Sequence, residues 1–182
     1  MSKQNKTQRF NQVAMQHRDA AYNLAKWLTR NHQDAEDVVQ ESFIKAFRYL
    51  DSFQGEDGRA WLLTIVRHTS YTWLKAHNNG QQEEFGSDSS HEALSSSCSG
   101  LSLGQINPEQ IALQRQDKEQ INLAIQSLPV EFREVLVLRE QEGFSYHEIA
   151  SITGSPIGTV MSRLARARGL MRGLLVRHFT EG

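Results

Sequence analysis

Thr159, Ser162, Arg163 and Arg166 fall on three- and four-residue steps, in a stretch from Ser155 to His178 that holds five arginines and no acid. Hydroxyl and guanidinium groups on one helical face can donate hydrogen bonds to base edges and to phosphate oxygens. The residues before them supply what is needed to aim such a face. Ser145 can cap a short helix, and Glu148 three residues on completes a capping box. Ile149 and Ala150 face inward there. Gly154 suits the left-handed turn that ends the helix. Ser155 then caps a second helix, and Pro156 takes its first position, where a missing N–H costs nothing. Val160 and Leu164 lie one turn apart and can pack back on Ile149. Backbone N–H groups from Ser155 to Gly158 stand open to phosphate at the helix start. This is the plan of a DNA-binding helix-turn-helix with its second helix in the major groove. The plainer alternative is a structural helical hairpin.

Other chemistries find no support. The seven histidines (His17, His32, His68, His77, His91, His147, His178) form no HExxH pair and no zinc-ligand spacing. Cys98, the single cysteine, excludes an internal disulfide and sits in a serine-rich stretch with no fixed base expected beside it. No phosphate-binding glycine loop is present, and the paired acids Glu83 and Glu84 lie where geometry cannot be held. An enzyme, a metal site and a bound cofactor are not expected. No apolar run approaches the ~20 residues of a membrane span, and MSKQNKTQRF does not open a signal peptide. A cytoplasmic protein is the expectation.

The formal net charge is -1 over 182 residues, so the chain is not uniformly basic. Distribution matters more than the sum. From Asn78 to Gln110 there are five acids and no Lys or Arg. A basic face on a near-neutral chain fits a protein that touches DNA but takes part of its affinity from another partner.

The elements that must carry these groups all read as helical. One helix is expected over about Phe10–Arg30, with Val13, Ala14, Ala21, Leu24, Ala25 and Leu28 apolar. Another starts with Asp34 as its N-cap. Ala35, Val38, Val39, Phe43, Ala46, Phe47 and Leu50 recur along it at helical steps. Asp37, Gln40, Glu41, Lys45 and Arg48 line its other side. After the turn Asp51–Gly58, a third helix over Arg59–Ala76 has the stripe Leu62, Val66, Thr69 and Trp73. Residues 79–107, rich in Ser, Gly and acids, have little to bury and read as a flexible linker. A helix restarts near Pro108, with Ile111, Ile121, Ala124, Ile125 and Leu128 apolar up to Pro129. A further helix over about Glu131–Gln141 precedes the helix-turn-helix. The fold class is all-α: two small helical domains, 1–78 and 108–182, on either side of the linker.

Ile121–Arg168 (INLAIQSLPVEFREVLVLREQEGFSYHEIASITGSPIGTVMSRLARAR) resembles region 4 of bacterial sigma factors. Asp34–Phe53 (DAEDVVQESFIKAFRYLDSF) is similar to region 2.2, and Gly58–His77 (GRAWLLTIVRHTSYTWLKAH) to regions 2.3 and 2.4. Region 2, a short linker and region 4, with nothing like region 3, is the layout of the extracytoplasmic-function group. The resemblance implies binding to core RNA polymerase and promoter DNA, recognition of the minus-35 and minus-10 elements, and opening of the duplex near minus-10. It also implies an anti-sigma factor that restrains the chain and can hold it at the membrane, though no residue identifies that partner.

Carried onto matching positions, the resemblance puts core polymerase docking on Asp37, Gln40 and Glu41. It puts the minus-10 reader on Phe53, Arg59, Arg67, His68, Tyr71, Thr72 and Lys75. The minus-35 reader falls on Ser155, Pro156, Gly158, Thr159, Ser162, Arg163 and Arg166. Arg163 is the expected base reader, with Arg168 and Arg172 serving the backbone or a partner. Trp61 and Trp73 are expected in the core rather than as stacking platforms. The chain departs from the common pattern at His68, where Asn is frequent, and Thr72, where Asp is frequent. Its helix ends LKAHNNG rather than in arginines, so fewer phosphate contacts are expected there. The acidic linker is read either as an occupant of a polymerase channel or as a plain tether. Cys98 remains a candidate redox switch. Two other readings stay open: an activator or repressor that binds DNA on its own, and an adaptor that binds polymerase without reading promoters.

Overall fold

The computed structural model describes residues 3–78 and 108–180. The linker reading of 79–107, with Cys98, Glu83 and Glu84, lies outside the described residues. Among the described residues eight α-helices follow one another: α1 Lys3–Val13, α2 Arg18–Thr29, α3 His32–Tyr49, α4 Gly58–Asn78, α5 Pro108–Ser127, α6 Val130–Leu136, α7 Tyr146–Thr153 and α8 Ile157–Thr180. No strand occurs among the described residues.

The single helix expected over Phe10–Arg30 is two. A 3-10 turn, Met15–His17, separates α1 from α2. The break lies where the chain meets the start of α4: a Cβ on Gly58 would stand 2.4 Å from the Val13 carbonyl oxygen. Arg30 ends α2 in the left-handed conformation at φ 61. The cap of α3 is Asn31, not Asp34. The Asn31 side chain accepts from the backbone N–H of Gln33 and Asp34 at 2.8 and 3.4 Å. Asp34 instead stands in the first turn, where its charge favours the helix dipole.

Leu24, Leu28, Val38, Leu62 and Val66 are sealed in the first half of the core. Each such side chain contributes ~1.5–3 kcal/mol by leaving water. Phe47, expected inside, is 40% exposed. Its ring meets Phe10 edge-on at 5.2 Å at the rim of the core. Trp61 and Trp73 pack against the core while only partly buried.

In the second half, Leu128, Leu138, Ile149, Ile152, Val160 and Leu164 fill the core. Arg133 is itself buried and closes the end of α5, donating to the carbonyls of Gln126 and Leu128 at 2.8 and 3.3 Å. The expected helix over Glu131–Gln141 does not stay α-helical. After Leu136 it widens into a π turn, Val137–Gln141, in which the Glu142 N–H reaches back to the Val137 carbonyl at 3.1 Å. Ile121, expected inside, is 41% exposed. The two halves are not held apart: α2 and α4 pack on α6, α7 and the π turn, and the buried apolar residues run as one cluster through both.

Candidate nucleic-acid interface

The helix-turn-helix is built as its residues demand. Ser145 caps α7, accepting from the Glu148 N–H at 3.3 Å, while the Glu148 carboxylate accepts from the Ser145 N–H at 2.7 Å. These hydrogen bonds hold the Glu148 carboxyl below the usual carboxylate range. Gly154 ends α7 in the left-handed conformation at φ 62 with its N–H on the Ala150 carbonyl. Ile149, Val160 and Leu164 are sealed between α7 and α8, as their spacing requires.

That packing turns the other side of α8 outward. Pro156, Gly158, Ser162 and Arg166 are exposed, and Ser155, Thr159 and Arg163 are half-buried. Arg163 lies back along the helix start, with Nη1 donating to Ser155 Oγ at 3.2 Å. Arg168 is tied to Glu140 at 2.6 Å. Arg172 is exposed one turn on.

The candidates on α4 and the loop before it divide between two faces. His68, Thr72 and Lys75 are exposed on one. Phe53 is buried, its ring tilted against Trp61 with centroids 4.8 Å apart. Arg9 Nη2 donates to the Phe53 carbonyl at 2.6 Å and ties the loop to α1. Arg59, Arg67 and Tyr71 share the other face, and it looks into the second half of the chain. Arg59 pairs with Glu142 and lies 4.6 Å from the centroid of the Phe144 ring. Arg67 pairs with Glu134. The Tyr71 hydroxyl donates to the same carboxylate at 2.8 Å.

Glu134 is fully buried. Burial pushes its carboxyl upward, opposed by the hydrogen bond and charge of Arg67 and by the Tyr71 hydroxyl. Burial, and then the neighbouring Glu134, push the Tyr71 phenol upward, so it stays protonated and donates. Around this pair, Trp27 Nε1 donates to Gln141 at 2.8 Å, and Arg30 donates to the Leu128 carbonyl at 3.4 Å. Sequence reasoning missed Glu134, Gln141 and Glu142. Val130–Leu138 carries Glu131, Arg133 and Glu134 among its apolar residues, and nothing in their spacing set Glu134 apart.

Asp37, Gln40 and Glu41 are all exposed on α3, beside Ile44, which is 59% exposed. Glu41 is held by Lys45 at 2.6 Å.

Two family models match in the order the folds suggest: "Sigma-70 region 2" over residues 13–79 and "Sigma-70, region 4" over residues 118–171. The chain belongs to the extracytoplasmic-function group of sigma-70 factors. Sigma factors of this kind join core RNA polymerase and direct promoter-specific initiation of transcription. Among relatives, the ECF RNA polymerase sigma-E factor of Escherichia coli is 40% identical over 136 residues, 74% of this chain and 70% of that one. The ECF RNA polymerase sigma factor SigE of Mycolicibacterium smegmatis is 33% identical over 172 residues, 94% of this chain. The chain spans 63% of the length of SigE. The sigma factor RpoE of Bartonella quintana, solved in complex with the anti-sigma factor NepR, is similar at a TM-score of 0.69 and 29% identity. That match covers 91% of this chain and 96% of RpoE. CnrH, solved in complex with the cytosolic domain of CnrY, shares the fold at a TM-score of 0.61 and 23% identity. Among the described residues no helix of this sigma factor is long and apolar enough to cross a membrane.

Proposed function

We propose that this sigma factor binds core RNA polymerase through α3 and selects promoters through two separate readers. Its functional parts are residues 1–78 for polymerase docking and the minus-10 element, 79–107 as the linker, and 108–182 for the minus-35 element. The observation that carries this reading is α8. Its inner face is locked by Ile149, Val160 and Leu164, so Thr159, Ser162, Arg163 and Arg166 are presented from a fixed helix start, where the Ser155 N–H, expected to be open to phosphate, instead donates to the Ala150 carbonyl at 3.1 Å. On α4, Arg59, Arg67, His68, Tyr71, Thr72 and Lys75 supply cations and hydrogen-bond donors for a displaced strand. Phe53 supports that surface from beneath, through Trp61. Asp37, Gln40 and Glu41 frame the exposed Ile44, and this mix of one apolar contact with a polar surround suits a protein partner. Binding is the whole of its chemistry, and nucleotide addition belongs to the polymerase.

RpoE of Bartonella quintana was solved in complex with an anti-sigma factor. By the same logic this chain works in the cytoplasm under an anti-sigma protein, which can keep it at the membrane.

The test is transcription in vitro from fragments of the source genome, with bacterial core polymerase in the presence and absence of the chain. Transcripts that depend on it, with start sites sharing two spaced elements, are the expected result. DNA footprints made by the chain without polymerase, and no transcripts, would turn the reading to a conventional activator or repressor.

A further inference from the structure

The loop Asp51–Gly58 carries Phe53 into the start of α4, and α1 touches that loop at both ends. Lys6, Arg9, Phe10 and Val13 recur at the steps of a single helical face. Lys6 Nζ pairs with Asp51 at 2.6 Å, and Arg9 Nη2 donates to the Phe53 carbonyl at 2.6 Å. The Phe10 ring meets Phe43 and Phe47 edge-on at 6.0 and 5.2 Å and seats the same face on α3. At the far end of the loop, the Val13 carbonyl leaves no room for a side chain on Gly58. Between these anchors Gln54, Gly55, Glu56 and Asp57 are exposed. Asp57 caps α4, accepting from the N–H of Arg59 and Ala60 at 2.9 and 3.0 Å. The match to sigma-70 region 2 begins at residue 13, so Lys6, Arg9 and Phe10 lie ahead of it. The Asp51 side chain is 61% exposed, and an ion pair that open adds little to stability. Its effect, with that of the Arg9 bond, is to restrict a loop that buries little of its own.

We propose that α1 positions the minus-10 loop: Lys6 and Arg9 hold Asp51 and Phe53 so that the exposed tip and the start of α4 meet the promoter in one shape. The choice of minus-10 sequence then depends on two residues that touch no DNA. The proposal rests on the Phe53 loop and α4 being the minus-10 reader. A site that tells one base from another must hold its groups within about 0.5 Å of the productive geometry. Freed from α1, the loop samples other shapes. The matching base binds only the competent shape, so its apparent affinity falls about tenfold when that fraction drops to a tenth. Mismatched bases gain nothing from that shape and lose nothing with it. Discrimination falls while general affinity for DNA stays.

The experiment uses the full chain with bacterial core polymerase and a pool of DNA duplexes randomised in sequence. Sequencing the bound fraction reads base preference at each promoter element. Titration with core polymerase reads docking, and circular dichroism reads helix content. The variants are Arg9→Ala, Arg9→Lys, Lys6→Glu, and Lys6→Glu combined with Asp51→Lys. Gln8→Ala, an exposed position on α1, is the control. The expected result for Arg9→Ala is about tenfold less discrimination at the minus-10 element, with minus-35 preference, docking and helix content as in wild type. Arg9→Lys keeps a charged donor and should recover part of the loss. Lys6→Glu should lose discrimination in the same way, and the added Asp51→Lys should restore it by reversing the pair. Gln8→Ala should match wild type. Unchanged minus-10 preference in both Arg9→Ala and Lys6→Glu overturns the proposal and leaves the promoter reading standing. Equal losses at both elements, or losses of docking or helix content, make α1 a scaffold only and overturn it as well. A wild-type pool enriched in no minus-10 element overturns the proposal together with the loop and α4 as the reader.

Discussion

Arg163 shows how one side chain can be aimed and still held in reserve. It is half-buried, and its guanidinium rests on Ser155 at the start of α8. Trading the Ser155 hydroxyl for the O6 and N7 of a guanine would give two charge-assisted bonds for one. Arg163→Ala should therefore lose ~1–3 kcal/mol of discrimination at a single base pair. Transcription from a set of promoters substituted one position at a time measures it. A loss equal across the whole set would assign Arg163 to the phosphate backbone instead. The spacing of Thr159, Ser162, Arg163 and Arg166 was enough to place them on one side of a helix. It did not tell that Arg163 would find a neighbour at the helix start, because Ser155 lies eight residues away, beyond the helical steps that the pattern uses.

Among the elements, α7 is the most fully specified by its own residues. Its start is a reciprocal capping box and its end a left-handed glycine. The Glu148 carboxyl is held low by the Ser145 hydroxyl and N–H. A group whose value is depressed on folding adds stability that is complete above its ordinary range, and that stability is lost as pH falls through the lowered value. Glu148→Gln keeps an oxygen for the Ser145 N–H but removes the titration. Thermal melts taken between roughly pH 5 and pH 3 should show wild type losing more stability than this variant. Equal slopes would mean the carboxylate is not coupled to folding. α3 and α6 were less legible. Asn31 outcompeted Asp34 as a cap because the left-handed Arg30 directs the chain so that position 31, not 34, meets the free N–H groups. The π turn after Leu136 has no periodic signal, since one added residue changes the phase of the helix without changing its composition.

Across the molecule, two cores are built from separate stretches of chain and then joined. Leu24 is sealed among α2, α3 and α4, and Leu164 between α8 and its neighbours. Leu24→Ala and Leu164→Ala should each cost ~2–5 kcal/mol. Amide exchange should show the first loosening α2–α4 most and the second α7–α8 most. Uniform loosening by both would mean that the joined cluster opens as one unit.

The helices, their inner faces and the helix-turn-helix follow from local spacing, because capping, glycine turns and apolar periodicity act over three to eight residues. The same holds for the polar face of α3, where Asp37, Gln40 and Glu41 were expected outside and are exposed. What spacing could not supply is which outward face meets what. Arg59 and Arg67 read as free cations on a helix, yet they are paired with carboxylates 83 and 67 residues further on. Electrostatic complementarity at that separation depends on how two finished surfaces approach, and only the docking of α4 on α6 and α7 decided it.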